Sequence, residues 1–236
     1  IIGRLVGSEM CIRDRVNDNT MTNYYVITMM DNKRSTQVAR RCIESGKKLG
    51  YNILMFKAFT PDNCNPEEVA IYNDLPLKGF EEKYSRTGNC ISGFLSHFHL
   101  WKLTVANNTP TFIFEHDAVI LNKLPDITNY DILSVGKPSY GNFNIPTFLG
   151  EGPLTSKRYF PGAHGYRVTP KGAQMLIDEA KHTAGPTDVF IHVDKFQYHL
   201  GETYPWSVEA NDSFTTIQRQ EGCLAKHNYG ETYEII

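Results

Sequence analysis

From Tyr24 the chain runs Tyr24-Tyr25-Val26-Ile27-Thr28-Met29, apolar or β-branched on both faces, the pattern of a strand buried in a parallel sheet. Asp31 or Asn32 then offers a helix N-cap. Over 33–49 the apolar positions Val38, Ala39, Cys42, Ile43 and Leu49 fall at roughly helical spacing, and Gly50 stops the run. Tyr51-Asn52-Ile53-Leu54-Met55-Phe56 predicts a second strand, so the opening unit reads strand, helix, strand, a βαβ crossover.

Residues 60–90 alternate Pro, Asn, Asp and Gly with short apolar pieces and predict a loop region with a brief helix near 66–73. An irregular stretch of that length often serves function. Ser92 is read as the cap of a helix of about fifteen residues, in which Phe94, Leu95, Phe98, Leu100, Trp101, Leu103 and Val105 cover most of the circumference, the mark of a buried helix. Asn107-Asn108-Thr109-Pro110 breaks it, and Thr111-Phe112-Ile113-Phe114 predicts a short strand that runs out into Glu115-His116-Asp117. A strand over 130–135 and a Gly/Pro/aromatic loop over 140–165 follow. The last helix starts from a Thr169 cap with Pro170 behind it and reaches about Lys181, with Ala173, Leu176, Ile177 and Ala180 on one face.

The 236 residues suit one large domain, and no repeat, low-complexity tract or linker divides them. Hydrophobic residues at 41% and charged residues at 21% exclude a disordered chain. With 24 Lys+Arg against 26 Asp+Glu and no basic stripe, nucleic acid is excluded as the main partner. No apolar run reaches the roughly 18 residues of a membrane span. Cys11, Cys42, Cys64, Cys90 and Cys223 show neither C-x-x-C pairing nor metal-ligand spacing and read as reduced thiols of a cytoplasmic protein. Residues 1–15 lack the apolar core of a signal peptide, and 5–15 resemble a translated sequencing adapter. Residues 1–20 are therefore set apart as an artefactual or disordered segment, and the domain is taken as 21–236, starting at Met21.

In open α/β sheets ligands collect beyond the carboxyl ends of the strands, where Glu115-His116-Asp117 falls. Two carboxylates one residue apart offer hard oxygen ligands to Mg²⁺ or Mn²⁺, but acidic residues in turns also cap helices or face solvent. Ser96 and His97 lie within the buried helix, as core hydrogen-bonding groups or as ligand contacts, and Trp101 reads as core. Arg34 is a solvated helix start or an anion contact, and Asp188 could cap a helix beginning at Val189. His164 and Gly165 sit in a glycine-rich stretch that permits close backbone approach to a ligand. His192, Asp194 and His199 could add a metal ligand, or occupy solvated helix positions.

The block Gly93-Phe94-Leu95-Ser96-His97-Phe98-His99-Leu100-Trp101, followed by Phe112-Ile113-Phe114-Glu115-His116-Asp117, resembles the core of glycosyltransferase family 25. Tyr25-Val26-Ile27 with Lys33-Arg34, Ala58-Phe59, Gly162-Ala163-His164-Gly165-Tyr166 with Lys171-Gly172-Ala173, and Pro186-Thr187-Asp188-Val189-Phe190 extend the resemblance in order over about residues 24–217. The resemblance implies an α/β fold of the GT-A type, a single Rossmann-like domain with a mostly parallel central sheet flanked by helices. It implies an inverting, metal-dependent transfer of a hexose, most readily galactose, from a UDP-sugar to a glycan or glycolipid acceptor such as lipopolysaccharide. A lipid-linked acceptor would bring peripheral membrane contact, although no amphipathic basic helix is evident. On this footing Glu115 and Asp117 are the Mn²⁺ (or Mg²⁺) ligands. The nucleotide-sugar would be held by Val26, Thr28, Arg34, Ala58, Ser96, Glu115, His116, Asp117, His164 and Gly165, and Asp188 would be the base or an acceptor-binding carboxylate. His116 stands where the family's pattern has a further Asp. Two other classes compete: a non-catalytic glycan- or nucleotide-binding module descended from such an enzyme, and a metal-dependent phosphohydrolase, which would need more strand-end ligands than the chain offers.

Overall fold

The computed structural model describes residues 21–81, 85–160, 163–211, 214–218 and 234–236. Residues 1–20, with the adapter-like stretch 5–15 and Cys11, and also Gly162 and Cys223, lie outside the described residues. The opening βαβ unit is present as β1 (Asn23–Thr28), α1 (Lys33–Lys48) and β2 (Leu54–Lys57), with β1 and β2 parallel. Asn32 is the cap of α1: its Oδ1 accepts from the N–H groups of Arg34 and Ser35, each at 3.0 Å. The strand expected from Tyr51 begins only at Leu54.

After α2 (Pro66–Tyr72), capped by Asn65, comes α3 (Thr87–Asn107), which starts a turn and more before the expected Ser92. β3 (Thr111–Glu115), β4 (Ala118–Ile120), β5 (Ile132–Ser134), β6 (Gly150–Pro153) and β7 (Gly165–Val168) lead to α4 (Pro170–Thr183), which has the expected Thr169 cap. Two one-turn helices follow, α5 (Thr187–Phe190) and α6 (Val193–Phe196), and then β8 (Leu200–Tyr204), β9 (Val208–Ala210), β10 (Phe214–Thr215) and β11 (Glu234–Ile235).

The central sheet has the order β2-β1-β3-β7-β5-β8-β6. Its pairings divide evenly: β1–β2, β1–β3 and β5–β8 are parallel, while β3–β7, β5–β7 and β6–β8 are antiparallel. The mostly parallel sheet expected from the resemblance is therefore corrected to a mixed one. The physical reason is the connection: among the described residues no helix lies between β5 and β7, and without a crossover helix the returning strand pairs antiparallel.

Side-chain alternation along β3 sorts the core into two layers. Phe112 and Phe114 join Val26 and the α1 residues Ala39 and Cys42 on one face. Ile113 packs on the other face with α3 and α4, where Phe94, Phe98, Trp101 and Phe190 meet edge to face or stacked. From β1 the chain passes through α1 to β2 at the edge, then returns through α3 to β3 on the opposite side of β1. The topological switch point, where open α/β sheets bind ligands, thus falls between β1 and β3.

Candidate active site

A cleft of about 470 Å³ opens at that switch point. Ile27 and Met29 at the end of β1, Ala58 after β2 and Glu115 at the end of β3 form its floor. The first half of α3 forms a wall with Arg86, Asn89 and Ser96. Ser96 ties two walls together: its Oγ donates to the carbonyl of Ser92 (2.9 Å) and accepts from the N–H of Phe59 (3.0 Å).

Glu115 is held from the protein side by a chain of three buried groups. The indole N–H of Trp101 donates to Tyr166 Oη (2.8 Å), Tyr166 Oη lies 2.9 Å from His97 Nδ1, and His97 Nε2 lies 3.2 Å from Glu115 Oε1. An indole can only donate and a carboxylate can only accept. The tautomer of His97 with its proton on Nε2 lets the phenol donate to Nδ1 and satisfies every group from Trp101 to the carboxylate. Burial pushes the Glu115 carboxyl up, but the His97 hydrogen bond and the nearby rings of His97, His164 and His116 outweigh it, leaving the group below the ordinary carboxylate range. Its side chain remains 37% exposed, so an ionised oxygen faces the cleft.

His116 also lines the cleft, and its Nδ1 lies 2.7 Å from Ser35 Oγ at the start of α1. Asp117 does not line it. In an unbroken strand Glu115 and Asp117 would share a face, but the chain turns at His116-Asp117 to leave the central sheet and enter the β4–β9 pair. The turn is pinned by the N–H of Asn211 donating to the Asp117 carbonyl (2.9 Å). Asp117 then sits on the α1 side: burial first, and its charge second, push the Cys42 thiol up to about 12. Among the described residues no three His, Cys, Asp or Glu side chains cluster as a metal site. Glu115 presents a hard carboxylate oxygen to the cleft that could serve a divalent cation, while Asp117 lies outside the residues that line it.

The other predicted residues divide. Ala58 and Ser96 line the cleft beside Glu115 and His116. Val26 is wholly buried in the α1-side core, and Thr28 Oγ1 donates back to the Val26 carbonyl. Arg34 pairs with Glu234 at 2.7 Å and lies 4.7 Å from the centre of the Phe214 ring. His164 is buried at 1% exposure, packed so tightly on Gly136 that a Cβ there would come within 2.6 Å of its Nε2. Its backbone carbonyl accepts from the Glu115 N–H (3.2 Å). Gly165 opens β7 under Val208, so its lack of a side chain serves packing. His192 accepts from the Asp194 N–H as the cap of α6, Asp194 pairs with Arg158, and His199 lies 2.6 Å from Asp131.

Asp188 lies in the first turn of α5, outside the cleft. Its Oδ2 accepts from the Tyr140 hydroxyl (2.6 Å) and its Oδ1 from the Val189 N–H (3.0 Å). Burial raises its carboxyl, the Tyr140 donor pulls it down, and the charge of Glu115 raises it again, so the net direction is upward. A carboxylate poised above its ordinary range is the better base.

Arg86 and Asn89 were missed by sequence reasoning. Arg86 is the N-cap of α3, donates through one terminal nitrogen to the Ile236 carbonyl (2.7 Å), and keeps a buried Nε with no partner among the described residues. With no acidic residue in the first turn of α3, this end of the cleft suits an anion. The available signal was Arg86-Thr87 itself, a basic residue before a helix-compatible Thr, masked by the stronger cap signal of Ser92.

The fold and cleft define an α/β protein with an ionised carboxylate and an arginine-bearing helix start at the switch point of its sheet. The sequence profile of glycosyltransferase family 25 (LPS biosynthesis protein) matches residues 21–144, more than half of the chain, and the protein belongs to that family. A curated relative, a glycosyltransferase 25 family member of Aedes aegypti, is 22% identical over 194 residues, covering 75% of this chain. The match covers 32% of that relative, so the chain spans about a third of its length.

Proposed function

We propose that the protein is an inverting glycosyltransferase with a GT-A fold that moves a hexose, most readily galactose, from a UDP-sugar to a glycan acceptor such as lipopolysaccharide. The observation that carries the reading is the ionised Glu115 carboxylate, fixed by His97 in the cleft that Arg86 also lines. Arg86 and the first turn of α3 would take the diphosphate, and Ala58, Ser96 and Asn89 would line the nucleotide-sugar's bed. Bound Mn²⁺ or Mg²⁺ would compensate the leaving diphosphate's charge, with Glu115 as its ligand from the protein.

Asp188 would take the proton of an acceptor hydroxyl as that oxygen bonds to the anomeric carbon. The bond from that carbon to the diphosphate oxygen breaks in the same displacement, and its electron pair leaves with UDP. One displacement inverts the anomeric centre.

The second reading, a non-catalytic nucleotide- or glycan-binding module, is favoured by the position of Asp117 outside the cleft. UDP release from a panel of UDP-sugars, with Mn²⁺, with Mg²⁺ and with chelator, decides between them. Turnover of one donor supports the transferase and names its sugar. UDP binding without turnover in the presence of acceptor glycans establishes the module, and no binding of any nucleotide-sugar overturns both.

A further inference from the structure

Tyr140, the hydrogen-bond partner of Asp188, belongs to an aromatic wall in the loop region before β7. Tyr140 stacks on Tyr159 (centroids 6.5 Å apart), and Tyr159 stacks on His192 (6.4 Å). Lys157 crosses the wall, its Nζ 4.6 Å from the centre of the Tyr140 ring, 5.3 Å from that of Tyr159, and 2.8 Å from the Tyr140 carbonyl oxygen. A hollow of about 370 Å³ lies against it, bordered by Tyr159, His192, Asn142, Asn144, Ser156 and Lys157. A second hollow of about 450 Å³ shares Asn144, Lys157 and Arg158 and continues the groove past Tyr198.

Three features mark this groove as built to bind. Its floor is preorganised: Glu202, 1% exposed, accepts from the N–H groups of Thr155 (2.7 Å) and Ser156 (2.8 Å). The Ser156 hydroxyl, on a residue only 2% exposed, has no hydrogen-bond partner among the described residues. The exposed lining is basic: apart from Glu202, buried beneath the floor, no acidic side chain borders either hollow among the described residues. Arg158 is paired with Asp194, but Lys157 has no carboxylate partner among the described residues.

A half-exposed ring face and two exposed amides match a sugar, which presents an apolar face of C–H groups and a rim of hydroxyls. An ammonium that no carboxylate neutralises among the described residues, beside that ring, adds a preference for carboxylate or phosphate. Tyr140 joins the groove to Asp188, bonding the carboxylate and stacking on Tyr159.

We infer that this groove seats an anionic saccharide, with Tyr159 as the stacking platform, Asn142 and Asn144 as hydroxyl partners and Lys157 as the anion contact. The inference deepens the transferase reading, on which it rests, by assigning the acceptor a place and a charge.

The test is titration calorimetry of the full chain with trigalacturonate, maltotriose monophosphate and neutral maltotriose, with UDP titrated in parallel. Both anionic sugars are expected to bind at least about tenfold more tightly than maltotriose, in a salt-sensitive way. Lys157→Gln should erase that preference, Lys157→Arg should keep it, and Tyr159→Ala should weaken all three sugars, with UDP affinity unchanged throughout. Binding of one anionic sugar alone identifies carboxylate or phosphate as the charge recognised. Equal binding of charged and neutral sugars, or anionic binding indifferent to Lys157→Gln and Tyr159→Ala, overturns the inference. Failure of the unsubstituted chain to bind any of the three sugars, with UDP bound, strikes the groove alone. UDP failing to bind strikes the transferase reading and leaves the sugar result to stand by itself.

Discussion

Glu115 shows how a side chain's neighbours set its chemistry. On a strand end in water it would be an ordinary carboxylate, but here three histidine rings and one hydrogen bond hold it ionised against burial. Glu115→Gln keeps the shape and removes the charge, so kcat/KM for UDP-sugar turnover should fall by about 10²–10³ with an unchanged thermal melt. Asp117→Asn, outside the cleft, should lower it by less than about tenfold. Asp188 is shifted the other way. As the proposed base it would act only when ionised, so the acid limb of the pH profile of kcat should lie above the ordinary Asp range. Tyr140→Phe removes the donor that opposes the shift, so the limb should move to higher pH; a limb that stays or moves down would exclude Asp188 as the base. In stability the sign is also set: a carboxyl raised in the folded state favours folding when protonated, and that contribution is lost as pH rises through its folded pKa.

At the scale of elements, the decisive one is α3. A helix of 21 residues buried round most of its circumference is stabilised by packing on α4 and the sheet. One end presents Arg86 and the next turns present Asn89 and Ser96 to the cleft, while His97, a residue further on, reaches under the sheet to Glu115. Arg86→Ala should weaken UDP binding by about tenfold or more, measured by calorimetry, with helicity unchanged in the circular dichroism spectrum. The sequence made α3's interior legible, because an all-round apolar run has one physical outcome. Its start was not legible, since Ser92 is a good cap by type and only the contact of the Arg86–Ile91 turn with the cleft and the Ile217 carbonyl favours the longer helix. β6 was illegible for a similar reason: Gly150-Glu151-Gly152-Pro153 has no strand propensity and is a strand only because β8 pairs with it at the sheet edge.

Across the whole molecule, segments far apart in the chain meet with little tolerance. At Gly79, before α3, a Cβ would lie 1.9 Å from the carbonyl oxygen of Ala184, after α4. Gly79→Ala should destabilise the fold by about 1–3 kcal/mol, read as a lower urea midpoint with an unchanged slope. Among the described residues no helix is long and apolar enough to cross a membrane.

Local pattern alone determined the βαβ opening, the buried α3, the capped α4 and the strand that delivers Glu115, because apolar periodicity and caps act over a few residues. The family resemblance was legible as well, since its motifs are short and ordered. Tertiary structure alone decided that the sheet is mixed, that the turn at His116-Asp117 sends the two carboxylates to opposite faces, and that Trp101, Tyr166 and His97 form one relay to Glu115. Each of these depends on which distant segment a strand or ring packs against, and spacing along the chain carries no information about that partner.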